Sequence, residues 1–163
     1  MLLLGLGSIL TSTFGDRFTN LNIALDQLEK YKIKIVKKSS FYESSSYPNK
    51  KDPKFINIVV EVSSNLPPED LASVLIFIEE KLERKRIKKN EPRTCDIDIL
   101  DYDRKIIIEK NLKLPHPRMH TRNFVLLPFF EIDRTWIHPL KKIDIKKLLS
   151  FIKESDLISV KLI

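Results

Sequence analysis

Apolar positions recur along the chain with the spacing of strands and helices, and they predict the order of its elements. Leu2–Leu6 and Phe55–Val62 are short apolar runs that predict strands, and the alternation in Ile33–Phe41 predicts a further strand between them. Apolar residues three or four apart predict a helix from Asp16 onward and another opened by Pro67–Asp70, where proline and acidic residues suit a first turn. The positions predicted to face the core are Phe18, Leu21, Ala24, Leu25, Leu28 and Tyr31 in the first helix and Leu71, Val74, Leu75, Ile78 and Leu82 in the second.

A fourth strand is predicted within Pro92–Leu100, and smaller elements follow it. Asp101–Asp103 forms a turn into Lys105–Glu109, which is predicted to be its hairpin partner. A last helix is predicted over Ile143–Lys153, whereas the turn-rich stretch Glu43–Lys54 is predicted to be irregular. The order βαββαβ, with an added hairpin strand and extra helices, predicts an α+β sandwich of the ferredoxin-like type, with helices on one face of an antiparallel sheet.

Two carboxylates interrupt the fourth predicted strand. Asp96 and Asp98 alternate with apolar residues, so they point to the same side, roughly 6.5–7 Å apart along the chain. Two like charges on one face of a core strand repel each other and lose hydration, so something must compensate them. A divalent cation such as Mg²⁺ is one solution, since it binds through one or two carboxylates plus substrate phosphates. Structural salt bridges to Lys or Arg, or an acidic face that meets solvent, remain the alternatives.

Arginines near these aspartates favour phosphate chemistry. Arg84 and Arg86 end the second predicted helix, and Arg93 precedes the acidic strand, so a short loop separates them. Their planar guanidinium groups match phosphate oxygens two at a time, and acids that hold cations beside arginines that hold anions indicate a metal–polyphosphate site. The stretch Gly5–Leu10 lacks the glycine pattern of a dinucleotide or P-loop site, so side chains and metal must bind any nucleotide.

The segment Pro115–Phe124 carries two histidines and a further arginine. His116 and His120 are four residues apart, but the neighbouring prolines make a helix, and hence a zinc pair on one helix face, a weak interpretation. His116 and Arg122 are instead predicted to donate hydrogen bonds to phosphate. Without a ligand, Phe124 is predicted to be a core aromatic.

Composition agrees with one ordinary folded domain, residues 1–163, with 42% hydrophobic and 31% charged residues. The lone Cys95 fits a reducing compartment. The apolar start lacks a basic region and a cleavage site and is interpreted as a strand rather than a signal peptide. No apolar run approaches the roughly 20 residues that span a bilayer. A cytoplasmic protein without a membrane partner is expected.

The net charge of +7 indicates an anionic partner, and it keeps two other classes open. A nucleic-acid-binding module is one, but Phe55–Val62 lacks the spaced aromatics that stack bases, and the aspartates would repel phosphate without metal. A metal-dependent nuclease is the other. Small-molecule substrates rather than nucleic acid are therefore expected, and a monomer is favoured.

Six motifs in order resemble those of the 6-hydroxymethyl-7,8-dihydropterin pyrophosphokinase family of folate biosynthesis. They include P-R-T-C-D-I-D-I-L around the aspartates and P-H-P-R-M-H-T-R-N-F after them. The matching stretches are Gly7–Leu10, Ser39–Tyr42, Phe55–Asn57, Ile78–Arg86, Glu91–Leu100 and Pro115–Pro128. Together they form a far stronger signal than any one of them.

The resemblance implies an enzyme that moves the β,γ-diphosphate of ATP onto the hydroxymethyl group of the dihydropterin and releases AMP. It implies that Asp96 and Asp98 hold two Mg²⁺ ions and act with Arg84 and Arg93 as the catalytic group. The implied ATP-binding residues are Glu79, Arg84, Arg86, Arg93, Ile99, His116 and Arg122. The implied pterin-binding residues are Ser44, Ser45, Tyr47, Phe55, Asn57 and Phe124. Lys85–Glu91 would form a lid over ATP.

The chain departs from the family pattern at several positions. Ile9 stands in place of Asn, Glu83 and Glu91 each stand in place of Gly, and Ser45–Ser46 replaces a proline pair. A catalytically inactive relative is therefore a further alternative. None of these changes removes the aspartates or Arg93, so activity is expected.

Overall fold

An antiparallel sheet forms the centre of the protein in the computed structural model, which describes residues 1–45, 51, 53–84 and 93–163. The spatial order of its strands is β5-β1-β4-β3-β8, and β2 pairs with β4 beside this path. The strands of this sheet are β1 (Leu2–Ser8), β2 (Lys34–Lys38), β3 (Tyr42–Ser44), β4 (Phe55–Ser63), β5 (Asp96–Tyr102) and β8 (Lys161–Leu162). Among the described residues, the predicted α+β class with an antiparallel sheet is confirmed.

Two long helices cover the first face of the sheet. They are α1 (Arg17–Lys30) and α2 (Pro68–Lys81). Asp16 begins α1 by accepting a 2.8 Å hydrogen bond from the backbone N–H of Thr19, which satisfies a donor that the first turn leaves free. The two helices bury Leu21, Leu28, Leu71, Leu75 and Ile78 against Leu4, Leu6, Ile58, Ile97 and Ile99 of the strands.

The opposite face of the sheet is also covered, so the prediction of helices on one face is wrong. Leu3, Val59 and Leu100 point to this second face and join a core built from α3 (Asn123–Ile132) and α4 (Ile145–Ser150). A sheet covered on both faces reads as nearly continuous apolar strands, as β1 and β4 do. The C-terminal part also contains α5 (Glu154–Ile158), before β8.

Other details also differ from the sequence-based expectation. The Lys105–Glu109 stretch does not pair with β5: its strand β6 (Ile107–Ile108) pairs with β7 (Lys113–Leu114) in a separate small sheet. Strand β5 pairs with β1 instead, in an antiparallel arrangement. Phe18 is 36% exposed rather than in the core, and its ring meets that of Phe41 edge-on at 5.3 Å. The predicted last helix is shorter, since α4 ends at Ser150.

The C-terminus of α2 has a backbone conformation that usually requires glycine. Leu82 is the C-cap, and Glu83 after it has a positive φ of 65°. The backbone N–H of Glu83 donates to the carbonyl of Glu80 at 3.0 Å, and that of Arg84 donates to the carbonyl of Glu79 at 3.1 Å. This is the Schellman pattern, in which a non-glycine residue at the left-handed position costs roughly 1–2 kcal/mol. The pattern sets the direction in which the chain leaves α2 at Arg84.

A buried polar network lies behind the second core. Asp101 is fully buried and accepts a 2.7 Å hydrogen bond from Nε1 of Trp136. His138, 2% exposed, meets Trp136 edge-on and accepts the backbone N–H groups of Leu140 and Lys141 on Nδ1, at 3.3 and 3.2 Å. Because Nδ1 accepts, the proton of a neutral ring lies on Nε2.

No helix among the described residues is both long and apolar enough to span a membrane.

His138 is predicted to make the protein less stable in acid. Burial, together with the nearby His120 and Lys141, lowers its pKa from 6.5 to about 4. Between these values the unfolded chain binds a proton that the folded protein does not. The free energy of unfolding therefore falls as the pH drops from about 6.5 to about 4, by at most about 1.4 kcal/mol per pH unit from this group.

Urea unfolding from pH 7.5 to 4 measures this effect. His138→Asn keeps an acceptor near the Nδ1 position but does not titrate in this range, so its stability should vary less steeply with pH than that of the wild type. Equal slopes for the two proteins would contradict the prediction.

Candidate functional site

A cavity of about 510 Å³ lies over the second face of the sheet. Its floor is formed by β1, β4 and β5, and its walls come from the start of α3 and the segment around α5. Charged side chains and aromatic side chains both line it. The main lining residues are Gly5, Gly7, Ser44, Ser45, Phe55, Asn57, Arg93, Asp96, Asp98, Arg118, Thr121, Arg122, Asn123, Phe124, Ile152, Asp156 and Ser159.

Two glycines of β1 create the space above the floor. Gly7 lies between Asp96 on one side and Asn57 on the other, and Gly5 lies between Asp98 and Val59. A Cβ added at Gly7 would lie 3.4 Å from Oδ1 of Asn57, and one at Gly5 would lie 3.3 Å from Leu100. Residues two apart in a strand share a face, so the pattern Gly-Leu-Gly removes two neighbouring side chains from the cavity floor.

Asp96 is held by arginine from two directions. Nη1 of Arg84 lies 2.6 Å from Oδ1 of Asp96, and Nε of Arg93 lies 3.6 Å from Oδ2. Arg84 also forms an ion pair with Glu79, whose Oε1 accepts a 2.7 Å hydrogen bond from the backbone N–H of Ile97. Burial opposes the charge of Arg84, but Asp96 and Glu79 outweigh it and raise its pKa.

Arg93 has an unused donor beside this pair. Its Nε is buried and makes no hydrogen bond to the described residues. Its carbonyl accepts the backbone N–H groups of Ile9 and Leu10, both at 3.1 Å, which fixes its backbone against the end of β1. A buried donor without a partner costs free energy, so this position is suited to an acceptor that arrives with a ligand.

Asp98 is less tightly paired than Asp96. Its Oδ2 lies 3.5 Å from Nη1 of Arg122 and 3.7 Å from Nε2 of His116, both longer than a usual hydrogen bond. Burial and the neighbouring charge of Asp96 raise the pKa of Asp98 to about 6. Asp98 faces the cavity with only long contacts, which suits a hard cation, and the oxygen donors of Asp98 and Asp96 together fit Mg²⁺.

His116 is neutral at pH 7 and oriented by the backbone. Burial, together with Arg122 and Arg118, lowers its pKa to about 4. Its Nδ1 accepts the backbone N–H of Arg118 at 3.1 Å, so the ring proton lies on Nε2, the nitrogen that faces Asp98. His116 therefore presents a fixed donor toward Asp98, which lines the cavity.

The other end of the cavity is aromatic with a few fixed polar groups. Phe55 and Phe124 line it, and the guanidinium of Arg122 lies 5.5 Å from the ring centre of Phe124. Asn57 is buried and donates a 2.8 Å hydrogen bond from Nδ2 to the hydroxyl of Ser44. This amide is consequently fixed in orientation beside an apolar surface, which suits a flat heteroaromatic ring.

The structure brings most of the residues predicted for the site together, with exceptions. Ile99 is 8% exposed and lies in the core on the other face of β5, away from the cavity. Glu79 is behind Arg84 and does not line the cavity. Arg84 and His116 are also not lining residues, and they reach the site only through Asp96 and Asp98. Arg86, Tyr47 and the predicted lid fall outside the described residues, as does the Glu91 departure.

Several lining residues were missed by the sequence analysis. Gly5 and Gly7 could have been found, because two glycines at alternate positions of a buried strand leave one face bare. Arg118 and Thr121 lie within the Pro115–Phe124 segment, next to residues that were predicted. Asp156 and Ser159 follow far later in the chain, and no local pattern indicates that they return to this cavity.

Comparison with known proteins agrees with this geometry. The family 7,8-dihydro-6-hydroxymethylpterin-pyrophosphokinase (HPPK) matches residues 3–134. The chain belongs to the HPPK family. The predicted family is thus confirmed, together with a pyrophosphokinase function, pyrophosphoryl transfer to hydroxymethyldihydropterin in folate biosynthesis. The matched range contains both aspartates and ends before α4 and α5.

Individual HPPK relatives extend this comparison. The 2-amino-4-hydroxy-6-hydroxymethyldihydropteridine pyrophosphokinase of Aquifex aeolicus is 35% identical over 144 residues, or 88% of this chain and 87% of that protein. The folic acid synthesis protein fol1 of Pneumocystis carinii is 36% identical over 148 residues, which are 91% of this chain but only 20% of that protein. A Plasmodium falciparum HPPK-DHPS structure superimposes with a TM-score of 0.77 at 18% identity, covering 99% of this chain and 46% of that one. The last likeness shows the fold.

Glu79 is predicted to stabilise the charged end of the cavity. Glu79→Ala leaves Arg84 with one carboxylate fewer and the backbone N–H of Ile97 without its acceptor. The free energy of unfolding should fall by about 2–3 kcal/mol, measured by urea denaturation. Glu80→Ala, at an exposed position of the same helix end, should change it by less than about 0.5 kcal/mol. Equal losses in the two variants would show that the buried contacts contribute no specific stability.

Proposed function

We propose that this HPPK catalyses Mg²⁺-dependent transfer of the β,γ-diphosphate of ATP to the hydroxymethyl oxygen of 6-hydroxymethyl-7,8-dihydropterin. The bond that forms joins this oxygen to the β-phosphorus, and the bond between the α,β-bridging oxygen and the β-phosphorus breaks, so AMP leaves. The O–H bond of the hydroxymethyl group also breaks, and its proton is released. One observation carries the proposal: a single cavity has paired carboxylates and arginines at one end and an aromatic surface with a fixed amide at the other. The arrangement is suited to two substrates that meet in the middle.

The charged end would bind ATP through groups that now compensate one another. The two aspartates are paired with three arginines, Arg84, Arg93 and Arg122. A triphosphate is a competing anion, and the buried Nε of Arg93 has no hydrogen-bonding partner among the described residues. These arginines and the Nε2–H of His116 would therefore donate to phosphate oxygens. Such donors stabilise charge that develops in phosphoryl transfer, a reaction that depends on positioning and charge neutralisation.

Asp96 and Asp98 would hold Mg²⁺. The metal, when bound, would neutralise the phosphate oxygens and orient them. The two carboxylates share one face of β5 because they are two residues apart, and Gly5 and Gly7 leave the adjacent floor free of side chains. The two carboxylates therefore face open space in the cavity, where a metal ion would fit between them and the phosphates.

The aromatic end would bind the dihydropterin. Phe55 and Phe124 offer ring faces, and Asn57 offers a polar group whose direction is set by Ser44. Fixed orientation lowers the entropic cost of binding a flat ring. It would help to direct the ring's hydroxymethyl group toward Asp96 and Asp98. Ser45 also lines this end, at the last described position before residue 46.

The C-terminal segment would complete the pterin end. Ser159 and Asp156 line the cavity, and Nδ2 of Asn123 donates to the carbonyl of Asp156 at 2.6 Å. β8 pairs with β3, the strand that carries Ser44. The wall is therefore attached to the elements that position the proposed pterin-binding residues.

Activity should depend on both aspartates and on Mg²⁺. Asp96→Ala and Asp98→Ala are each expected to lower kcat by at least about a hundredfold, because charge stabilisation is lost where the phosphates react. Chromatography of AMP and of the pterin diphosphate measures the reaction across Mg²⁺ concentrations. Asp103→Ala, an exposed carboxylate just beyond β5, is the matched control and should keep its rate. Turnover that persists in EDTA, or in the aspartate variants, would refute the metal-dependent reaction.

Ser159 should affect pterin binding without affecting ATP. Ser159→Trp adds bulk to the cavity wall and is expected to weaken dihydropterin binding about tenfold. Isothermal titration calorimetry with the dihydropterin, and separately with a non-hydrolysable ATP analogue and Mg²⁺, separates the two effects. Ser155→Trp is the control, since Ser155 does not line the cavity. Unchanged pterin affinity in Ser159→Trp would place the pterin elsewhere.

A further inference from the structure

Glu83 combines a strained backbone with a carboxylate that contacts another part of the chain. Its φ of 65° places it in the region that favours glycine. Its Oε2 accepts the backbone N–H of Thr13 at 3.0 Å, and its Oε1 accepts the hydroxyl of Thr13. Glu83 thereby connects the C-terminus of α2 to the loop between β1 and α1.

That loop, residues 9–16 and here called the brace, is itself well tied. Ser12 and Gly15 exchange two backbone hydrogen bonds, at 2.9 and 3.2 Å. The fully buried Asn20 of α1 accepts from the hydroxyl of Ser12 at 2.6 Å and donates to the carbonyl of Leu10 at 2.9 Å. Because the loop is anchored to a buried side chain, residues that bond to it are fixed in position relative to α1.

The brace contacts the chain on both sides of residues 85–92. On one side, Thr13 is bonded to Glu83, which directly precedes Arg84. On the other, the N–H groups of Ile9 and Leu10 both donate to the carbonyl of Arg93. Two arginines at the charged end of the cavity are therefore tied to one loop, Arg84 through Glu83 and Arg93 through its own carbonyl.

We propose that Glu83 is a positioning residue that, through Thr13 and the brace, holds Arg84 at a set distance from Arg93 for simultaneous binding of one triphosphate. The inference rests on the proposed function, because it takes ATP as the ligand of both arginines. It states that the carboxylate of Glu83, in a backbone conformation that favours glycine, strengthens ATP binding and does not affect pterin binding.

The test compares Glu83→Gly with Glu83→Gln in the full chain. Glycine suits the positive φ but removes the contact to Thr13, whereas glutamine removes the charge and keeps an acceptor. Calorimetry should show Kd for a non-hydrolysable ATP analogue with Mg²⁺ raised about five- to tenfold in Glu83→Gly and within about twofold of wild type in Glu83→Gln. Dihydropterin affinity should be unchanged in both. Thr13→Val, which removes the hydroxyl, should weaken ATP binding in the same direction.

Stability separates positioning from general damage. Glycine relieves the strain, so the unfolding temperature of Glu83→Gly should not fall while its ATP affinity does. Glu80→Gln, on the exposed side of the same turn, controls for the loss of one negative charge. The proposal is overturned if Glu83→Gly binds the ATP analogue as the wild type does, if both Glu83 variants change alike, or if pterin affinity falls in parallel. Absence of AMP formation by the wild type would instead refute the proposed function, and the binding measurements would still decide the role of Glu83.

Discussion

Compensation of two like charges on one strand is the constraint on which the rest of the site depends. Asp96 and Asp98 lie on the same face of β5 because a strand repeats every two residues, and neither could remain charged there without partners. Arginines supply them from three places in the chain: just after α2, three residues before the start of β5, and the segment before α3. Glu79 in turn balances Arg84, and it does so from the other side of the strand. Ends of separate elements must therefore meet at one end of the sheet.

Burial of the sheet on both faces explains where the cavity can form. One face is filled by the side chains of α1 and α2, and the other is filled by α3 and α4 except above Gly5 and Gly7. A side chain at either glycine would contact Asn57 or Leu100, so the empty volume results from the absence of side chains rather than from a gap between elements. Strand β1 thus places Leu4 and Leu6 in the core on one face, while its glycines leave the floor of the cavity without side chains on the other.

The C-terminal segment contributes to the cavity from outside the range that the family match covers. The family match ends at residue 134, yet Ile152, Asp156 and Ser159 line the cavity. They reach it because β8 pairs with β3 and Asn123 binds the carbonyl of Asp156. Within α5 no residue is buried, but Ile152 before it packs against the second core and Val160 after it is buried, so both apolar packing and hydrogen bonds attach this wall.

The sequence by itself determined the elements and the chemistry, since both depend on local spacing. Helical and strand periodicities located α1, α2, β1, β4 and β5, and the ordered motifs identified the family. Tertiary structure decided what depends on contacts between distant residues. It paired β6 with β7 rather than with β5, and it covered the second face of the sheet with α3 and α4. It also placed the side chain of Ile99 in the core rather than in the cavity. It also brought Ser159 to the cavity that Asn57 lines, more than a hundred residues earlier in the chain. Periodicity reports which face a residue occupies, but not which distant segment covers that face, because that choice is made by packing over the whole chain.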